Sequence, residues 1–406
     1  MMRFTVAATR VITATGATGG GTGIPGPGWV RVAGDRIEAV GTGEPDGPVD
    51  LRLGTGVLAP GLVDAQVNGA FGVDLAAAAA DGWREVVTRL PSTGVTAFAP
   101  TFITAPLPDL LAGLGRYAAL RPHLDALPAA ARTLGVHLEG PFLSPARRGA
   151  HREDLLTDPA PETIRALLAA GTGGALRYLT LAPERDGAAE AIRTLTRAGV
   201  TVSVGHSDAR AEQVHAAADA GARLVTHLYN AQRPLHHRDP GVVGAGLADR
   251  RLVCGLIADG HHVLPDAVAV AFAAAPGRIM LVSDAVAALG MPPGRYLLGG
   301  EHLLVGAAGE PPRRADGTLA GAAAALDRAI GVAVAAGVPL VTAVEAATRV
   351  PADALGRPDL GRLAPGAYAD LVWLDGPDDH RLRARTTWVG GVPVPATQAV
   401  TPAPRT

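Results

Sequence analysis

Residues 134–142 read Leu-Gly-Val-His-Leu-Glu-Gly-Pro-Phe, a short apolar run that closes on a carboxylate, Glu139. The same construction recurs downstream. Thr201-Val-Ser-Val-Gly-His-Ser closes on His206, Arg223-Leu-Val-Thr-His-Leu-Tyr-Asn on His227, and Arg278-Ile-Met-Leu-Val-Ser-Asp on Asp284. Further apolar runs lie at 57–64, 96–101, 176–181 and 252–257, which brings the set to eight. Ala- and Leu-rich stretches with helical spacing, such as Ala160–Ala170 and Ala188–Ala198, separate most of them. Near-continuous apolar strands alternating with helices indicate parallel strands buried on both faces. Eight of them predict a (β/α)8 barrel of the TIM type. A doubly wound open sheet is the competing architecture, but no glycine fingerprint for phosphate follows the first strand.

The two ends of the chain differ in style from this middle. Met1 to Gly56 is rich in Gly, Val and Thr with short alternating runs such as Trp29-Val-Arg-Val, and the pattern returns in Ala369-Asp-Leu-Val-Trp-Leu and Thr387-Trp-Val-Gly-Gly-Val-Pro-Val. The expected organisation is a small β-sandwich domain from residues 1–56 and 363–396 and a barrel from 57–362. A disordered tail is expected at 397–406, where Pro and Thr accumulate. The glycines of Gly16–Gly23 lack the arrangement of a nucleotide loop and read as turns. No repeat of 20 to 50 residues points to a solenoid.

Bulk properties exclude several functions. The formal net charge of -2 gives no overall attraction for nucleic acid or an anionic membrane. No apolar stretch reaches the roughly 18 residues of a membrane helix, and Arg10 interrupts the N-terminus too early for a signal sequence. The single cysteine, Cys254, rules out an intrachain disulfide and reads as a small buried apolar residue. A cytoplasmic location is therefore expected. All 36 basic residues are arginine, so a site built on a catalytic or carbamylated lysine is ruled out.

In a parallel barrel every strand's C-terminal end opens on one face, where sites are assembled from several strands. Glu139, His206, His227 and Asp284 would converge there. Two His and one Glu form a common ligand set for a catalytic divalent metal with a position left for water, and Asp284 could then move a proton. Singly, each has an ordinary alternative: a strand-end histidine is more often a hydrogen-bonded loop residue, and a lone Asp a helix N-cap. Four such residues at the same end of four strands argue for function. Gln66 and Asn68, two apart, share one face of an extended chain. His261 and His262 follow another run, and Arg238 lies in the loop after His227. Arginine suits phosphate recognition, although a solvated loop arginine is the ordinary expectation.

On these segments the chain resembles the N-acetylglucosamine-6-phosphate deacetylases of the amidohydrolase superfamily. The matching blocks are APGLVDAQVNGAFGVD, GVHLEGPFLSPARRGAH, VSVGHSDA, VTHLYNA, HHRDPGVVGAGL, IADGHHV, LVSDAVAALG and GTLAGA, in family order between Ala59 and Ala322, with AYADLVWLD beyond them. The resemblance implies metal-dependent release of acetate from N-acetyl-D-glucosamine 6-phosphate. It implies Glu139, His206 and His227 as metal ligands and Asp284 as general acid and base. Superfamily members usually carry a His-x-His pair on the first strand for a second metal. Gln66 and Asn68 stand there instead, and neutral amides are poorer zinc ligands than imidazole. One divalent ion per subunit is expected, zinc ahead of iron, manganese or cobalt.

The resemblance further places Ala150 and His151 near the sugar and its amide, Asn230, Ala231 and His262 against the ligand, and Leu319 in the lining. It implies a homodimer in which Arg238 reaches the neighbouring subunit's phosphate site. After Asn230-Ala231 the family usually has methionine, whereas Gln232 and Arg233 follow here. An arginine beside the phosphate site is expected to tighten phosphate binding or alter which sugar fits. The alternatives are an N-acetylgalactosamine-6-phosphate deacetylase, another amidohydrolase, or a catalytically inactive binding homologue. The last conflicts with the complete set of Glu139, His206, His227 and Asp284.

Overall fold

The structure, a computed structural model, describes residues 3–14, 26–307 and 309–396. The tail expected at 397–406 and the Gly16–Gly23 turns lie outside the described residues. Eight parallel strands form the barrel: β1 (Leu62–Val67), β2 (Val95–Ile103), β3 (Val136–Glu139), β4 (Leu176–Leu181), β5 (Thr201–Val204), β6 (Leu224–Val225), β7 (Val253–Leu256) and β8 (Ile279–Leu281). Each pairs with the next in chain order. A parallel bridge between Val67 and Ala285 brings the end of β8 back to β1. The buried Asp64 reinforces that seam, its Oδ1 accepting from the Ser283 N–H at 3.1 Å.

Helices follow the strands as α1 (Ala80–Arg89), α2 (Leu107–Asp125), α3 (Pro161–Ala170), α4 (Ala188–Arg197), α5 (Ala211–Ala220), α6 (Gly241–Ala248), α7 (Pro265–Ala274) and α8 (Leu326–Ala335). In α4 the buried residues are Ala188, Ala191, Ile192 and Leu195, a three-four spacing that turns one stripe to the barrel. Burying Ile192 and Leu195 contributes about 1.5–3 kcal/mol each.

Alternation along the strands sorts the core into two layers. Val63 and Ala65 of β1, Ala97 and Ala99 of β2, Tyr178 of β4, and Met280 with Val282 at β8 pack together inside the barrel. Their neighbours Leu62, Phe98, Leu179, Leu181, Ile279 and Leu281 pack outward with the helices. This explains why the strands read as continuous apolar runs: both faces are covered. Cys254 is buried among the outward set.

The chain ends build an eight-stranded, mostly antiparallel sheet from Arg3–Val11, Gly26–Ala33, Arg36–Thr42, Leu51–Leu53, Val57–Pro60, Leu371–Asp375, Arg383–Val389 and Val392–Pro395. Its core includes Val6, Val30, Val32, Leu58, Leu371 and Trp388. The run at 57–64 is thus divided. Val57–Pro60 pairs with Leu371–Asp375 in the terminal sheet, and Leu62 begins the barrel. The break falls at Gly61, where an added Cβ would lie 2.3 Å from the Thr96 hydroxyl. Among the described residues no helix is long and apolar enough to cross a membrane.

Candidate active site

Glu139 is the last residue of β3, while His206, His227 and Asp284 stand just beyond β5, β6 and β8. All four open on the C-terminal mouth of the barrel. His206, His227 and Asp284 have φ of 47°, 29° and 51°, in the left-handed region. For non-glycine residues that backbone costs on the order of 1–3 kcal/mol each and collects at functional sites.

A chain of polar side chains crosses the barrel below them. Thr101 and Thr180 flank the buried His137 at 3.2 and 2.7 Å. Thr226 continues the chain, 2.7 Å from Thr180 and 2.6 Å from Ser203. His137 also stacks on Tyr178 at 3.8 Å between ring centroids, and burial pushes its pKa down to about 3. It is a structural, neutral histidine.

Above this layer three atoms converge. Glu139 Oε1 lies 3.1 Å from His206 Nε2 and 2.9 Å from His227 Nε2, and the two nitrogens are 3.0 Å apart. Metal bonds of about 2.1 Å at tetrahedral angles would set donors about 3.4 Å apart, so this set needs only a slight expansion to hold a cation. Burial, the largest influence on Glu139, raises its pKa. Hydrogen bonds and charge from both histidines outweigh burial and hold it well below the usual carboxylate range, which favours the ligand form. Two polar atoms of the cluster, His227 Nδ1 and Asn68 Oδ1, are buried without a protein partner. The donor set, one carboxylate oxygen and two imidazole Nε2 atoms, fits a divalent metal. His151 also offers a ligand atom within 4.8 Å of those of Glu139 and His206, but His227 makes the tighter triplet.

Gln66 and Asn68 turn their amide groups to the carboxylates. Gln66 Nε2 donates to Asp284 Oδ1 at 3.0 Å and to both oxygens of Glu139 at 3.3 Å. Asn68 Nδ2 donates to Asp284 Oδ1 at 2.8 Å. Burial first, and the charge of Glu139 second, push the Asp284 pKa up to about 8. A cation bound at Glu139 would offset the second cause.

The site opens into a cavity of about 440 Å³, lined by Asn68, Glu139, Ala150, His151, His206, His227, Asn230, Ala231, His262, Asp284 and Leu319 among others. His151 Nδ1 faces Thr104, 2.8 Å from its hydroxyl oxygen and 3.4 Å from its backbone nitrogen, which leaves Nε2 as the other ring nitrogen. Burial pushes this histidine down to about 3, so it is neutral. His262 is fixed by Asp259, whose Oδ2 lies 2.7 Å from Nδ1 and whose Oδ1 accepts the backbone N–H groups of His261 and His262 at 2.8 Å. His261 is exposed and outside the lining.

Arg238 is exposed on its loop and does not line the cavity of its own chain. Gln232 and Arg233 are also absent from the lining. The Gln232 side chain accepts the Tyr229 N–H and donates to Thr226 O. Arg233 pairs with Asp208 at 3.0 Å and Asp239 at 2.7 Å. Its guanidinium is thus engaged by two carboxylates rather than turned into the cavity of its own chain. Sequence reading missed Ile103, Arg147, Leu298 and Arg313 in the lining, and Asp259 behind His262. Of these, Asp259 inside the block IADGHHV and Arg147 inside the block GVHLEGPFLSPARRGAH carried a usable signal.

The sequence profile of the amidohydrolase family matches residues 57–400. The chain is 40% identical over 337 residues to the N-acetylgalactosamine-6-phosphate deacetylase of Escherichia coli O157:H7, covering 82% of this chain and 87% of that one. It is 40% identical over 346 residues to the N-acetylglucosamine-6-phosphate deacetylase of Bos taurus, covering 82% of each. Among solved structures, it is similar to the N-acetyl-D-glucosamine-6-phosphate deacetylase of Mycobacterium smegmatis in complex with N-acetyl-D-glucosamine-6-phosphate. That likeness has a TM-score of 0.88 at 38% identity and covers 97% of this chain and 99% of that one.

Proposed function

The chain belongs to the amidohydrolase family, and from that premise we propose that it hydrolyses the N-acetyl group of N-acetyl-D-glucosamine 6-phosphate to give D-glucosamine 6-phosphate and acetate. The observation that carries this reading is the convergence of Glu139, His206 and His227 beside Asp284 in one cavity, in a chain similar to deacetylases of phosphorylated amino sugars. In this reading Glu139, His206 and His227 hold one divalent ion per subunit, zinc first. A bound divalent ion supplies Lewis-acid polarisation of the amide carbonyl and lowers the pKa of water. The amides of Gln66 and Asn68 support a single ion, because their N–H groups point at both carboxylates where a second cation would need a free oxygen.

The remaining work belongs to the chain's own residues. Ionised Asp284 accepts the proton of the attacking water and, once protonated, gives it to the departing amine. Its burial favours the protonated state needed for that second transfer. His151, in the tautomer that carries its proton on Nε2, donates to the oxygen that gains charge as the carbonyl becomes tetrahedral. Ala150 and Leu319 bound the sugar. His262, held by Asp259, and the Asn230–Ala231 loop face the phosphate. Arg238, exposed and outside its own cavity, completes a neighbouring subunit's phosphate site in a homodimer. A phosphorylated sugar does not cross membranes freely, so the enzyme is placed in the cytoplasm.

The likeness to the Escherichia coli N-acetylgalactosamine enzyme favours one second reading, the galactosamine epimer as substrate. The test is acetate release from both phosphorylated epimers and from unphosphorylated N-acetylglucosamine, with metal-replete and chelated enzyme. Metal-dependent release from the phosphorylated glucosamine substrate is expected. Preference for the epimer would move the substrate, and release that survives chelation would refute the metal-dependent reading.

A further inference from the structure

Four charged side chains form a continuous chain that starts in the cavity lining at Arg147 and runs away from it through Asp208 and Arg233 to Asp239. Arg147 Nε donates to Asp208 Oδ1 at 2.8 Å, and Arg233 NH1 donates to Asp208 Oδ2 at 3.0 Å and to the Asp208 carbonyl at 3.1 Å. At its other end Arg233 grips Asp239 Oδ2 through Nε at 2.9 Å and NH2 at 2.7 Å. The Arg233 side chain is only 25% exposed, so these pairs are less screened than surface ion pairs. Three strand-end loops are joined in this way. Arg147 belongs to the loop after β3, which carries Ala150 and His151. Asp208 follows His206 after β5. Arg233 and Asp239 belong to the loop after β6, which carries Asn230, Ala231 and Arg238.

The backbone follows the same path. Ser207 N–H donates to Ala231 O at 3.2 Å and Arg233 N–H to Ser207 O at 3.0 Å. His236 and Asp239 exchange backbone hydrogen bonds at 3.1 and 2.9 Å, a tight turn with Arg238 just before its end. Arg233 is tethered to the carboxylate that closes this turn. Gly241 (φ +58°) lets the chain pass close by, since an added Cβ would lie 3.0 Å from the Arg233 carbonyl oxygen.

We infer that Arg233 is a positioning residue that fixes the loop of residues 228–240, and so sets how strongly the phosphate end of the substrate is held. This rests on the deacetylase reading above. Arg233 does not line the cavity; it acts through Asp239 on the turn bearing Arg238, and through Asp208 on the loop after β5, whose Ser207 N–H holds Ala231 O. The chemistry should be insulated from it. The His206 carbonyl accepts the Ser144 N–H at 2.9 Å, outside the Arg233 chain, and its Nδ1 lies 3.0 Å from the backbone carbonyl of Arg147 rather than from the guanidinium that Asp208 holds.

The experiment compares wild type, Arg233→Gln, Arg238→Ala and the double variant, using the phosphorylated and unphosphorylated sugars and measuring metal content. Releasing a loop that binding must then reorder, two or three side chains' worth, should raise KM for the phosphorylated sugar roughly tenfold. The kcat, the metal content and turnover of the unphosphorylated sugar should stay at wild-type values. The double variant should be no worse than Arg238→Ala alone, since both changes act on one contact. Wild-type KM in Arg233→Gln would overturn the inference, as would lost metal or an equal fall on both sugars. A wild-type enzyme indifferent to the phosphate would instead overturn the deacetylase reading on which the inference rests.

Discussion

Gly205 stands between the strand β5 and His206, and its replacement by alanine tests how the polar layer supports the site. A Cβ there would lie 2.8 Å from Thr180 Cγ2 and 2.8 Å from Thr226 Cβ, against the roughly 3.5 Å of an unstrained carbon contact. Neither threonine can yield cheaply. Thr180 is fully buried, Thr226 nearly so, and they hydrogen bond each other at 2.7 Å while also holding His137 and Ser203. Overpacking costs about 1–3 kcal/mol, and one buried hydrogen bond left unmade costs about 1–3 kcal/mol more. The total is about 2–6 kcal/mol. Spread over the unfolding entropy of a chain of this length, that lowers Tm by about 2–7 °C. Because His206 is the next residue, metal affinity should also fall, by the roughly 10–100-fold typical of changes behind a ligand. Thermal unfolding of metal-loaded protein and competition with a chelator measure the two effects. Gly115→Ala is the internal control: it sits in α2 with nothing within 4 Å of the added Cβ, and it should be neutral or stabilising by up to about 1 kcal/mol. If Gly205→Ala matched that control in both assays, the reasoning from the threonine layer would be wrong.

Two further expectations follow from buried ionisable groups. Burial pushes the Cys254 thiol up to about 12, so at pH 8 only about one molecule in 10⁴ is thiolate. A thiol reagent should label native protein slowly and denatured protein at one site, and rapid native labelling would contradict the burial. Asp259 is pulled the other way: burial alone would raise it, but the hydrogen bonds and charge of His262 lower it to about 2. Its folded pKa is thus depressed, so its contribution is fully present above the unfolded value near 3.9 and is lost as pH falls toward 2. Acid unfolding of Asp259→Asn should show a shallower loss of stability between about pH 4 and 2; an unchanged slope would remove His262 and Asp259 as a coupled pair.

Much of the site was legible in the sequence because a parallel barrel converts a local rule into a global one. Glu139, His206, His227 and Asp284 each close an apolar run, and β-strands of one sense deliver such ends to one mouth. Strand limits were less legible. Pro60-Gly61 interrupts the apolar run 57–64, but only the fold shows that the chain passes there from the terminal sheet to the barrel, with Gly61 against Thr96. The lining supplied by Leu298 and Arg313 comes from the stretch between the blocks LVSDAVAALG and GTLAGA, which neither block covers. The ion pairs of Arg233 were not legible for a plainer reason. Sequence places it next to Asn230–Ala231, but only the fold places Asp208 and Asp239 within reach of its guanidinium.

The division of labour between ligand and proton carrier can be read from a single pair of variants assayed for metal and for acetate release. Glu139→Ala removes the oxygen on which both histidine nitrogens converge, and should be purified without stoichiometric metal and without activity. Asp284→Asn keeps an Oδ1 acceptor for Gln66 and Asn68 but cannot carry the proton. It should retain full metal and lose about 10²–10⁴ in kcat. Full metal in Glu139→Ala, or metal loss or near-normal turnover in Asp284→Asn, would contradict the assignment.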